Sequence, residues 1–296
     1  MKPYLLFFLC FLTFRLIGQT TPDSTNGEQF TMENVSFNSA GITLEGAIYK
    51  PRHIQAAVVI VHGSGRETRM LTMAALLAKN GIAVLTYDKR GVGKSGGIYA
   101  GPEVGSNNID PSNLDLLASD ASAAADILLT HLTVKQVPLG LVGFSQAGWV
   151  IPLATQKNRK LKFMVLFSGP VATTLEQLRF QFYTQGNPRF WETHSEAQAR
   201  EHIKNDPDKY KFVPTDPRNA LSTHPIPGLW IFGGKDVQAP VGLSIERLSV
   251  LKAEGKPYEY KLFPELGHNT AFSKSPEPVD FVIQWIKTIA GSAGRE

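Results

Sequence analysis

Six consecutive residues without a polar member, Ala56-Ala57-Val58-Val59-Ile60-Val61, constrain this chain more than any other stretch. Successive side chains of a strand point to opposite faces, so a run apolar at every position must be covered on both. That is the condition of a central strand in a parallel sheet with helices above and below. Further strands are expected at Ile82 to Thr86, Pro138 to Val142, Leu161 to Phe167, Ile226 to Phe232 and Tyr258 to Phe263. Helical patterns separate them: Met70 to Lys79 with Gly81 as a C-cap, Asn113 to Leu132, Val241 to Leu251 and Val279 to Ile289. Upstream, Met32 to Phe37 and Ile42 to Tyr49 flank Asn38-Ser39-Ala40-Gly41, a hairpin signal. The expected fold is α/β, a mostly parallel central sheet with helices on both faces.

Residues 171–224 break the alternation. Leu175 to Tyr183 and Ser195 to Asn205 read as helices, charged and polar residues dominate, and a buried strand is lacking. Long excursions between core elements are uncommon and usually functional. The expectation is a helical cap inserted between two core strands. Its large apolar residues, Leu175, Leu178, Phe180, Phe182, Tyr183, Phe190 and Trp191, have two readings. They wall an apolar substrate pocket, or they form a small core of the cap itself.

The 296 residues, 43% hydrophobic and 19% charged, suit one large α/β domain or two small ones, and the chain is taken as one domain over 31–296 after a polar linker at 20–30. Residues 1–19 carry Lys2 and an almost wholly apolar Tyr4 to Phe14, and Gln19-Thr20 leads into the polar Thr21-Pro22-Asp23-Ser24. This reads as a secretory signal peptide cut near Gln19 or Thr20 rather than an uncleaved membrane anchor, because its apolar core is short for a span, so the mature protein is expected in the periplasm or secreted. The only cysteine, Cys10, lies within it. Phe7-Phe8-Leu9 lacks the small residue a lipidated cysteine requires, and the mature chain would have neither disulfide nor thiolate. The net charge of +4 comes without basic runs, so neither nucleic acid nor, after signal cleavage, a membrane is expected as partner. The oligomeric state is not legible.

The chemistry concentrates at the ends of the expected strands. After Pro138 to Val142 the chain reads Gly143-Phe144-Ser145-Gln146-Ala147-Gly148, and Trp149, Val150 and Leu153 then recur at helical spacing. Ser145 therefore sits on a sharp strand-to-helix turn, the geometry of a nucleophile elbow. The pattern Gly-x-Ser-x-Gly would put glycine at 147, where Ala147 stands. A serine hydroxyl needs a base, and the base an orienting acid. Ligands meet such sheets at the carboxyl ends of their strands, and there Ser145, Asp236 and His268 follow in that order.

Five motifs after expected strands carry a family resemblance: His62-Gly63-Ser64-Gly65, Tyr87-Asp88-Lys89-Arg90-Gly91-Val92-Gly93-Lys94-Ser95, Gly143 to Gly148, Gly233-Gly234-Lys235-Asp236, and Gly267-His268. In these the chain resembles the α/β-hydrolase superfamily from about residue 32 to 290. Among its members it is most similar to exported bacterial esterases and serine-aminopeptidase-like hydrolases. The resemblance implies Ser145 as nucleophile, His268 as general base and then acid, and Asp236 as the group that orients His268. It implies an oxyanion hole made by the backbone N–H groups of Ser64 and Gln146.

Asp236 has rivals in Asp88 and Glu265, and could instead cap the helix at Val241. His53, His131, His194, His202 and His224 read as surface or cap residues, and His62 as a structural hydrogen-bonding residue. Metal-ligand spacing is absent, so neither metal nor other cofactor is expected. The expected function is hydrolysis of a small ester or acyl substrate through an acyl-enzyme. Peptidase and acyltransferase chemistry use the same triad, and a non-catalytic binding protein would lack a triad member.

Overall fold

The computed structural model describes residues 29–100, 108–133, 136–205 and 213–293. The expected signal peptide, and the expected linker up to residue 28, lie outside these. Eight strands form one sheet in the order β1-β2-β4-β3-β5-β6-β7-β8. The strands β1 (Phe30–Ser39) and β2 (Ile42–Pro51) make an antiparallel hairpin, and β2 is also antiparallel to β4 (Ile82–Tyr87). From β4 onward, β3 (Ala56–Val61), β5 (Leu139–Phe144), β6 (Leu161–Phe167), β7 (Gly228–Gly233) and β8 (Tyr258–Phe263) are parallel.

The central run behaves as its composition requires. Ala57, Val59 and Val61 join one apolar cluster, and Ala56, Val58 and Ile60 join another on the opposite face. The first face is covered by α2 (Pro111–His131), α3 (Ala147–Lys157) and α8 (Val241–Ala253). The second is covered by α1 (Leu71–Lys79) and α9 (Glu277–Ala293). Gly81, at φ 81°, follows α1 as expected.

Several bounds differ from expectation. β1 starts at Phe30, within the expected linker, because the ladder to β2 runs on to the Phe30–Pro51 pair. β5 does not stop at Gly143: it pairs through Gly143 with Val61 and Leu166 and ends at Phe144. Among its described residues the inserted cap holds four helices, α4 (Thr174–Thr184), α5 (Phe190–Thr193), α6 (Glu196–Asn205) and α7 (Pro217–Thr223). The two short ones escaped the periodicity argument, since one or two turns give too few repeats to show a period.

Candidate active site

Ser145 occupies the turn between β5 and α3 with φ 49°, a left-handed conformation that is strained for a residue with a side chain. Its N–H is held by the Phe167 carbonyl at 2.9 Å. The tightness of the turn explains the flanking glycines. A Cβ at position 143 would lie 2.5 Å from the Ala147 Cβ, so Gly143 makes the room that Ala147 uses. A Cβ at position 148 would lie 2.6 Å from Pro170, so Gly148 lets α3 approach the end of β6.

Asp236 follows β7 and His268 follows β8, the last two parallel strands, and they meet beside the elbow. His268 Nδ1 lies 2.8 Å from Asp236 Oδ2. Asp236 Oδ1 accepts from the N–H groups of Gln238 and Ala239 at 2.7 and 2.9 Å. The carboxylate is buried and its three donors fix its orientation. An imidazole that donates from Nδ1 presents Nε2 as an acceptor, and His268 Nε2 has no hydrogen-bond partner among the described residues. Ser145 and His268 line the same cavity of about 170 Å³. The capping alternative for Asp236 fails: the residue before α8 is Pro240.

The rival acids are placed elsewhere. Asp88 pairs with Arg69 at 3.3 Å and accepts from the Lys94 N–H at 3.0 Å. Its burial would raise its pKa, but these donors outweigh burial and hold it below the usual carboxylate range. Glu265 is exposed and bridges Lys235. Arg90 reaches Asp120 on α2 in a buried bidentate pair, with the Nε bond at 3.0 Å.

The loop after β3 carries the expected oxyanion donor Ser64. The N–H of Gly63 donates to Glu67 Oε2 at 2.9 Å, and the Lys89 ammonium donates to the Gly63 carbonyl at 2.6 Å. The N–H groups of Ser64 and Gln146 meet no acceptor among the described residues. Gln146 also opens α3, where the positive end of the helix dipole faces Ser145. Burial, then the nearby Lys89 charge, pushes the His62 pKa down to about 3, so this ring stays neutral. The backbones of Tyr87 and Thr68 hydrogen-bond the His62 ring, the structural role expected of it, and the ring packs edge-on to Tyr87 at 4.8 Å.

Residues that sequence reasoning passed over complete the site. Ser168, at φ 52°, donates from its hydroxyl to the His268 carbonyl at 2.5 Å and so fixes the loop that carries His268. Three consecutive carbonyls of the acid-bearing loop accept from the cap. Trp191 Nε1 donates to Asp236 O at 2.8 Å, Thr184 Oγ1 to Val237 O at 2.6 Å, and Gln177 Nε2 to Gln238 O. These bonds join residues far apart in sequence, and no motif announces them.

The cap decides between its two readings. Phe180, Phe190, Ala199 and Ile203, with Tyr183, Trp191 and Val237 packed on them, make a cluster separate from both sheet faces. Leu178 is the one of the seven large apolar cap residues that lines a cavity with Ser145. That second cavity, of about 270 Å³, is otherwise dominated by amides: Asn108, Gln146, Gln177, Gln181 and Gln238. Of the two readings, a small core of the cap itself is the one these contacts support. The aromatic groups bury each other because the short cap helices need a core of their own.

Among curated proteins none matches the sequence. Among solved structures, an esterase of Pyrococcus furiosus is similar at 20% identity and TM-score 0.61, over 94% of this chain and 95% of that one. An esterase of Pyrobaculum calidifontis is similar at 18% identity and TM-score 0.58, over 89% and 86%. The Pyrococcus horikoshii acylaminoacyl peptidase matches at 16% identity and TM-score 0.61, over 88% of this chain and 41% of that one. At these identities the likeness is one of fold. Residues 52–225 match the family described as serine aminopeptidase, S33, a span that holds the Ser64 loop and the Ser145 elbow and stops short of Asp236 and His268. That match runs over more than half the chain, which belongs to this serine aminopeptidase-like family of α/β-hydrolases.

Proposed function

We propose that this protein is a carboxylic ester hydrolase working through Ser145, His268 and Asp236. The observation that carries the reading is the His268–Asp236 pair at 2.8 Å, with Nε2 unpartnered, in one cavity with a serine on a strained elbow. Ser145 Oγ attacks the ester carbonyl as its proton passes to His268 Nε2. Asp236 holds the Nδ1–H tautomer and stabilises the imidazolium that forms. The oxyanion of the tetrahedral intermediate takes hydrogen bonds from the N–H groups of Ser64 and Gln146, each worth about 3 kcal/mol in the transition state. His268 then protonates the leaving alcohol, and water repeats the sequence on the acyl-enzyme. Serine and histidine need not touch before substrate binds, since such contacts tighten in the Michaelis complex.

The lining of the cavities favours ester over aminopeptidase chemistry. An aminopeptidase needs an anion to receive the substrate α-ammonium. Among the described lining residues the only carboxylate is Glu67, and it is engaged by the Gly63 N–H beside Lys89. The esterase descriptions of two of the structural neighbours point the same way. The N-terminal segment supports an exported enzyme, checked by fractionation and by sequencing the N-terminus of the mature protein.

The test is a panel of p-nitrophenyl esters beside aminoacyl-p-nitroanilides. Ester turnover is expected, with Ser145→Ala losing about 10⁶-fold in kcat while the fold is kept. A serine-directed phosphonate should label Ser145 alone. Activity retained in Ser145→Ala, or preference for the anilides, would overturn the reading.

A further inference from the structure

The ester-hydrolase reading uses two backbone N–H groups as oxyanion donors and leaves open what aims them. Both lead to one side chain. Lys89, in the loop after β4, is only 3% exposed. Its Nζ donates to Gly63 O at 2.6 Å and to Gln146 Oε1 at 3.0 Å. Gly63 C=O belongs to the same peptide plane as the Ser64 N–H, so a donor fixed on that oxygen fixes the direction of that N–H. A charged donor on the oxygen also polarises the peptide and strengthens its N–H as a donor. On the other side, Gln146 is held at both ends of its amide, by Lys89 and by Asn108 O at 2.6 Å, which anchors the residue whose own N–H is the second donor.

We infer that Lys89 is the positioning residue of the oxyanion hole, a buried cation that sets both donors from behind. It rests on the ester-hydrolase reading above. Two neighbours complete the arrangement. Glu67 holds the Gly63 N–H, and the Tyr99 hydroxyl donates to Ser64 O at 2.7 Å, so the loop is tied on both sides of the donor. A buried ammonium is costly, and apolar replacements of buried ions are often neutral or stabilising, so fold stability alone gives little reason for a lysine here.

The burial supplies a readout that ordinary packing would not. Burial lowers the Lys89 pKa to about 8, with the Glu67 charge acting against the shift. The cation is thus present below about pH 8 and lost above it. Burial raises the Tyr99 hydroxyl to about 12, His62 is neutral, and Arg66 stacks over Tyr99 at 4.8 Å.

The experiment is steady-state kinetics on p-nitrophenyl acetate from pH 6 to 10 for the full-length protein and its Lys89→Met, Lys89→Arg and Glu67→Gln variants. Lys89→Met is expected to lose about 10²-fold in kcat, near the loss of one oxyanion donor, with little change in KM. The alkaline limb of kcat near pH 8 should vanish in Lys89→Met. Lys89→Arg should recover part of kcat and move the limb out of range. A near-native kcat in folded Lys89→Met, or a loss confined to KM, would overturn the inference. Where Lys89→Met does not fold, Glu67→Gln decides: a limb moved to lower pH supports the role of Lys89, and an unmoved limb refutes it. Failure of the underlying reading is separate, because it shows as activity surviving Ser145→Ala whatever Lys89 does.

Discussion

The two sides of Ser145 are held by opposite means. On the base side, the loop at residues 236–238 is gripped through three backbone carbonyls by neutral donors from the cap, Trp191, Thr184 and Gln177. On the oxyanion side, the loop at residues 62–65 is held by ionisable groups from the core's own loops, Lys89 and Glu67. Neutral hydrogen bonds contribute modestly and ignore pH, whereas a buried cation is costly and titrates. The difference assigns the cap a job. It is bound to the acid-bearing loop and is anchored to the core through the Glu176–Arg247 pair, at 2.6 and 2.7 Å. An insertion built this way braces the site it covers.

The sharpest way to break the base side is at its acid. Asp236→Asn should keep the fold and lose about 10⁴-fold in kcat, because the amide no longer fixes the productive tautomer of His268. The alkaline limb assigned to Lys89 should persist in whatever activity remains. A loss under tenfold would return the role to another carboxylate.

Charge matters on the core side beyond the oxyanion loop. Asp120→Asn leaves Arg90 buried without its ionic partner and should cost about 3–5 kcal/mol of stability, read as a lower urea midpoint with unchanged slope. A change under 1 kcal/mol would mean that water or a neighbour takes over the guanidinium.

The smallest effect separates the two sides most cleanly. Trp191→Phe removes one neutral hydrogen bond to Asp236 O while keeping most of the aromatic packing. It should cost about 1 kcal/mol, a few-fold in kcat, without moving the alkaline limb. A shifted limb would show that the two sides are coupled and that the contrast is false.

Much of this was legible in the sequence because it rests on local rules. The run Ala56 to Val61 demanded a two-faced sheet, and the glycines around Ser145 demanded a tight strand-to-helix turn. Less local facts were not legible. The large rings of Phe180, Phe190 and Trp191 say that these residues must be buried, and are silent on whether against substrate or against each other. Ser168 directly follows the expected strand Leu161 to Phe167 and carries no motif of its own, yet its hydroxyl holds the His268 carbonyl. Lys89 stands in the Tyr87 to Ser95 motif with no role that spacing gives it, yet it lies behind both expected donors.

What the sequence determined by itself, then, is the class of fold and the order in which serine, acid and histidine arrive at one edge of the sheet. Alternation of apolar faces and the sterics of tight turns act over a few residues, so they can be read from a few residues. The tertiary structure alone decided which acid stands behind His268, what the cap's aromatic groups cover and what aims the oxyanion loop. Each of those is a contact between segments distant along the chain, and its energy exists only once the fold has brought the partners together.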